Sequence, residues 1–166
     1  MPKKIKTLDE LFHETLKDIY YAENKLTKAI PKMAKAAQSK DLKKAFEKHA
    51  VETKGQVARL VRVFKAIGKK PQGKTCAAIN GIIKEGDEVA KDFKGSPALD
   101  AGLLAAAQAV EHYEISRYGT LKAWAEELGD NESARLLNET LTEEKATDEA
   151  LTRLAESAVN QHAEAA

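Results

Sequence analysis

The sequence predicts an all-α protein: a four-helix bundle with a long crossover that carries a short extra helix. Three observations carry that expectation. Only four prolines and nine glycines punctuate 166 residues, too few turn formers for a strand-and-turn architecture. Apolar residues recur at three- and four-residue steps through four long segments, the spacing of one helix face. Between the second and third of these, residues 68–96 lose the rhythm over a span too long for a simple turn. A chain of this length buries enough apolar surface to fold as one domain, 1–166.

The first helix is expected over 7–37. Thr7 followed by Glu10 has the form of a capping box, Leu8, Leu11, Phe12, Leu16, Ile19, Leu26, Ile30 and Met33 make its stripe, and Pro31 predicts a kink. Ser39 caps the second, 39–67, where Leu42, Phe46, Val57, Leu60, Phe64 and Ile67 recur and Gly68 stops the helix. Gly68, Pro71 and Gly73 open the linker, a shorter helix falls within 75–93, and Gly95, Ser96 and Pro97 close it. The third long helix, 98–128, holds Leu103, Ala107, Val110, Leu121 and Trp124. Gly129 and Asp130 reverse the chain into the fourth, 131–158, with Leu137, Leu141, Leu151 and Ala155. Two helical hairpins joined by one long crossover is the connectivity of a ferritin-like bundle.

Charge and cysteine content narrow the function classes. Lys and Arg total 27 against 26 Asp and Glu, a net charge of +1, so no global pull toward nucleic acid or an anionic membrane exists. The lone Cys76 forms no intrachain disulfide, which fits a reducing cytoplasm. MPKKIKTLDELF is basic without the apolar stretch of a signal peptide, and no run approaches a membrane span.

Each long helix interrupts its apolar stripe with acids or amides. Glu23 takes the step between Ile19 and Leu26. Glu111 and Glu114 share a face with Leu104, Ala107 and Leu121, and Glu144 and Asp148 share one with Leu137, Leu141 and Leu151. The second helix offers His49, Glu52, Thr53 and Gln56 between Phe46 and Leu60. Heights follow from the rise of about 1.5 Å per residue. Glu23 precedes a turn at Gln38 by 15 residues and Glu52 follows it by 14, while Glu114 precedes Gly129 by 15 and Glu144 follows it by 15. Each therefore lies roughly 22 Å from its turn, with Gln56, Glu111 and Asp148 about one turn beyond and His49 about one turn short. The hairpins resemble each other, Glu23 matching Glu114 and Glu52 matching Glu144 or Glu143.

Four carboxylates gathered in a dry core repel one another and lose hydration unless a cation or protons sit among them. Two divalent ions, iron or manganese, answer that need with oxygen-rich ligation. The usual bundle set adds a Glu-x-x-His from each of two helices. Here Gly55 and Thr147 stand where those histidines would, leaving His49, Gln56 and Asp148 as substitutes. His112 is expected to face solvent or a carboxylate, and His13 and His162 the surface.

The segments YYAENKLTKAIPKMAKAA at 20–37, KHAVETKGQVARL at 48–60, VEHYEISRYGTL at 110–121 and TLTEEKATDEALTRLA at 140–155 resemble the YciE/YciF group of ferritin-like bacterial proteins along nearly the whole chain. The resemblance implies a cytoplasmic, stress-associated homodimer related in fold to rubrerythrins and di-manganese catalases. It also implies metal at Glu23, Glu52, Glu114 and Glu144, with Glu111 as an extra carboxylate. The missing histidines depart from those relatives.

Two functions of different class follow. In the first, a dinuclear metal site handles oxygen, peroxide or the metal itself, with Tyr20, Tyr113 or Tyr118 supplying a proton or electron and a separate protein supplying electrons. In the second, a non-enzymatic helical dimer binds a partner protein or small ligand, its acids paired with Lys54, Arg117 or Lys145 or sharing protons. Nucleic-acid protection has only MPKKIK and Lys69–Lys70 in its favour, and a solvated charge run is the commoner meaning of such clusters.

Overall fold

The computed structural model describes residues 6–165, and all regular structure among them is helical. Helix α1 spans Leu8–Ala36, α2 Lys40–Ala66, α3 Ala77–Asp92, α4 Leu99–Glu127 and α5 Asn131–Leu154. The last does not end near 158 as expected. A π-helical turn at Ala155–Val159 carries the chain into a short α6, Asn160–Glu164.

Local chemistry sets the boundaries. Thr7 and Glu10 form the reciprocal capping box that opens α1, and the helix continues through Pro31 to Ala36. Ser39 accepts from Leu42 N at 3.3 Å to start α2. At the end of α4, Gly129 takes φ +73°, a conformation costly for any residue with a Cβ. The amide of Gly129 then donates to Glu126 O and that of Asp130 to Ala125 O, satisfying carbonyls the helix leaves open. Asp130 in turn accepts from Ser133 N and caps α5.

Helices α1, α2, α5 and α4 pack in that order around a square. Their inner faces form one core that includes Leu16, Ile19, Phe46, Leu60, Leu121 and Leu136. The turn between α1 and α2 lies against the start of α4, because Asp100 accepts from Gln38 N at 2.8 Å and Ser39 N at 2.6 Å. The α4–α5 turn is therefore at the opposite end of the bundle. Crossover helix α3 returns the chain from one end to the other, lying on α4 and α1. Glycine permits its approach: a Cβ at Gly102 would stand 2.5 Å from Val89 Cγ1. Tyr21 Oη donates to Asn80 Oδ1 at 3.1 Å and fixes the same helix to α1.

Among the described residues no helix is long and apolar enough to cross a membrane. Most of the basic MPKKIK segment, residues 1–5, lies outside the described residues; Lys69 and Lys70 are exposed.

Candidate metal centre

The inward stripe of α2 runs Leu42, Phe46, His49, Thr53, Gln56 and Leu60, which brings His49 rather than Glu52 to the bundle axis. Helix α1 contributes Glu23, α4 contributes Glu111 and Glu114, and α5 contributes Glu144, all buried. His49, Glu111, Glu114 and Glu144 each place a donor atom within 4.8 Å of the others. His49 Nε2 stands 2.9 Å from Glu111 Oε1 and 4.0 Å from Glu144 Oε2, out of hydrogen-bonding alignment with either.

Glu52 occupies the rim. Its side chain is 23% exposed, Lys48 Nζ donates to its Oε1 at 2.7 Å, and its Oε2 faces His49 Nδ1 at 3.8 Å. The expectation that Glu52 shares the core level with the other three is corrected accordingly. No apolar residue occupies the inward positions between Phe46 and Leu60, so the stripe gives no phase there. Gly55 is exposed with open space beside it, so a histidine three residues after Glu52 would miss the core. His49 comes level with Glu111 because the two turns lie at opposite ends: one turn short of the level in the first hairpin is one turn beyond it in the second.

Two other expected donors turn aside. Asp148 lies on the outer seam of α4 and α5, accepting from Gln108 Nε2 at 3.2 Å and lying 3.0 Å from the exposed His112. Gln56 is buried and donates to Glu143 Oε2 at 3.1 Å, leaving its Oε1 without a partner. Arg59 grips that same Glu143 with two nitrogens, at 3.0 and 2.8 Å. The proposed cationic partners stay out of the core: Lys54 and Lys145 are exposed and Arg117 lies over the Tyr113 ring. Of the three tyrosines, Tyr118 is fully buried and donates to Glu23 Oε1. Tyr113 instead donates to Asp18 at 2.7 Å and meets Cys76, and Tyr20 packs edge-on against Phe64.

The electrostatics of this core run against carboxylate charge. Burial pushes the Glu23 carboxyl up to about 7, despite the hydrogen bond from Tyr118, the neighbouring Glu114 carboxyl and the charge of His49. Burial likewise raises Glu114 well above the ordinary range, reinforced by the charges of Glu144, Glu23 and Glu111. Glu144 rises for the same reason, aided by Glu111. For His49, burial opposes the charged form, yet the pull of Glu111 and Glu52 carries it up to about 9. Glu52 is held down to about 2 by His49, against its partial burial and with help from Lys48.

These residues fit a metal. Both oxygens of Glu111, Glu114 and Glu144, one oxygen each of Glu23 and Glu52, and both nitrogens of His49 are buried without a hydrogen-bond partner. Unpaired buried acceptors are costly, and a divalent cation is a group that these carboxylate oxygens and one deprotonated nitrogen of His49 can all bind. Carboxylate oxygens with a single imidazole suit iron or manganese.

Residues 7–164 match the family described as Domain of unknown function (DUF892). The chain belongs to the DUF892 family. It is 45% identical to protein YciF of Escherichia coli over 161 residues, covering 96% of this chain and 97% of that one. The crystal structure of the E. coli stress protein YciF aligns with a TM-score of 0.89, covering 94% of this chain and 99% of that one. YcfI of Rhodopseudomonas palustris, 49% identical, aligns at 0.87 over 92% and 97% of the two chains. A Xanthomonas campestris protein, 22% identical, shares the fold at 0.74 over 95% and 96%. The predicted resemblance to YciE/YciF proteins and the helical-bundle class both hold in this DUF892 chain.

Proposed function

We propose that this DUF892 protein binds two divalent cations, iron or manganese, in its core through Glu23, His49, Glu52, Glu111, Glu114 and Glu144. One observation carries the reading: Glu111, Glu114 and Glu144 bury all six carboxylate oxygens without a hydrogen-bond partner, and one oxygen of each groups with a His49 nitrogen within 4.8 Å. The four tightly grouped side chains would serve one ion, with Glu23 and Glu52 added to the set for a second. Gln56 Oε1 is a reserve oxygen on the α2 face, and Asp148 drops out of the ligand set.

Bound ions would supply redox and Lewis-acid chemistry toward oxygen or peroxide. The chain's own residues supply the setting. Leu16, Ile19, Phe46 and Leu121 belong to the apolar core that excludes water, and Tyr118 presents a buried phenol proton at Glu23. Lys48 neutralises Glu52 at the rim. A stress role parallels the description of YciF. A cytoplasmic homodimer, with a separate electron-donor protein, completes this proposal.

Titrating Fe(II) and Mn(II) anaerobically into metal-free protein tests it. Saturable binding near two ions per chain is expected, reduced in Glu144→Gln and Glu114→Gln while the helical circular dichroism persists. No binding in the parent protein would leave a proton-sharing core and a non-enzymatic dimer as the better account.

A further inference from the structure

Two small cavities adjoin between the crossover helix and the acid cluster. The inner one is walled by Ile30, Phe46 and Leu151 and has His49 and Glu111 at its floor. The outer one lies beneath the crossover helix, between Ile82, Ile83 and Gly86 of α3 and the small residues Ala29 of α1 and Ala106 of α4. It reaches the exposed Asp87 at the surface. Met33 and Val110 line both cavities and form their common wall. The inner cavity measures about 10 Å³ and the outer about 20 Å³, each about the space of one small molecule.

We infer that these cavities form an apolar passage that admits dioxygen, and not peroxide, to the His49–Glu111 edge of the proposed metal centre. The inference rests on the metal reading above and adds the substrate class. Apart from Thr147 and the polar groups at its two ends, the passage is lined by aliphatic and aromatic side chains. A peroxide or water molecule entering it gives up hydrogen bonds that such walls do not replace, whereas apolar cavities of this kind stay dry and take up apolar gases. Met33 supplies the gate. Its unbranched thioether chain turns about three bonds, so a rotamer change joins the two spaces without moving a helix. The passage exists because small residues at the contact of α3 with α4 and α1 leave space unfilled. A Cβ at Gly86 would sit 3.5 Å from Ala106 Cβ, leaving room above Ala29 that larger side chains would fill.

Xenon is the probe. Crystals of the metal-free protein pressurised with xenon should show anomalous peaks beside Met33 and Val110, absent in Ala106→Leu. In parallel, anaerobic Fe(II) affinity and the rate of Fe(II) loss on mixing with oxygenated buffer are measured for the parent, Ala106→Leu and Ala29→Leu. The two substitutions plug the passage from different helices, so one unfolded variant leaves the other informative. Unchanged Fe(II) affinity with slowed reaction toward oxygen, and unchanged reaction toward peroxide, supports the passage. Fe(II) binding without xenon peaks, or oxygen rates untouched by either plug, overturns it while the metal reading stands. Xenon peaks with no Fe(II) binding overturn the passage and the metal reading together.

Discussion

Glu23, Glu114 and Glu144 hold carboxyl groups where charge is poorly tolerated, so without metal the fold is governed by their protons. The sign is fixed by the direction of each shift. A carboxyl whose folded-state pKa is raised contributes stability that is fully present below its ordinary value and is lost as pH rises through the raised one, for Glu23 through about 7. His49 acts the same way, losing its contribution as pH rises through about 9. Glu52 acts oppositely but only near pH 2. Urea unfolding in the presence of chelator should therefore give a stability that declines from pH 5 to pH 9, and Glu144→Gln should flatten the decline. A metal-free protein more stable at pH 9 than at pH 5 would contradict the burial of these acids. Three of them were legible because each replaces an apolar residue on an otherwise regular stripe. Glu52 misled for the reverse reason: His49, Thr53 and Gln56 are all inward and all polar, so hydropathy gives no phase over that part of α2. Tyr118, fully buried against Glu23, carries no mark in the sequence beyond sharing the inward spacing of Glu114 and Leu121.

At the scale of helices, capping and glycine chemistry made the boundaries readable, while the contacts between helices were not. Asp100 is an acid in the first turn of α4, and nothing local says that it caps the turn between α1 and α2. Replacing it by alanine removes a buried acceptor from two amides, and hydrogen bonds to charged groups contribute about 1.5–3 kcal/mol each. Asp100→Ala should cost about 3 kcal/mol, read as a lowered urea midpoint. Gly102 carries a second such contact. In Gly102→Ala the new methyl would meet Val89 Cγ1 at 2.5 Å, and overpacking of this sort costs about 1–3 kcal/mol. Val89→Ala in the same chain should recover most of that loss, since the clash needs both side chains. Equal destabilisation in the single and double variants would mean that α3 does not press on α4 there. The π-helical turn at Ala155–Val159 could not be read because its residues keep helical spacing on either side.

For the molecule as a whole, the proposed ligands come from all four bundle helices and so join one hairpin, α1–α2, to the other, α4–α5. Elsewhere the hairpins meet through packing, through Asp100 at one end, and through the Arg59–Glu143 and Tyr113–Asp18 contacts. A cation bound only by the folded arrangement adds stability as RT ln(1 + [L]/Kd), about 2.7 kcal/mol at a hundredfold excess over Kd. In a chain of this size each kcal/mol moves the melting temperature by about 2–4 °C, so Mn(II) at that excess should raise it by about 5–11 °C. Asp100 is eleven residues from Glu111 along α4, about 16 Å by the helical rise, far enough for the two effects to add. Asp100→Ala should therefore melt lower than the parent yet gain the same increment from Mn(II), whereas Glu144→Gln should melt at or above the metal-free parent and gain little. Scanning calorimetry of the three proteins with and without Mn(II) makes the comparison. An increment that persists undiminished in both Glu144→Gln and Glu114→Gln would place the bound metal somewhere other than the core.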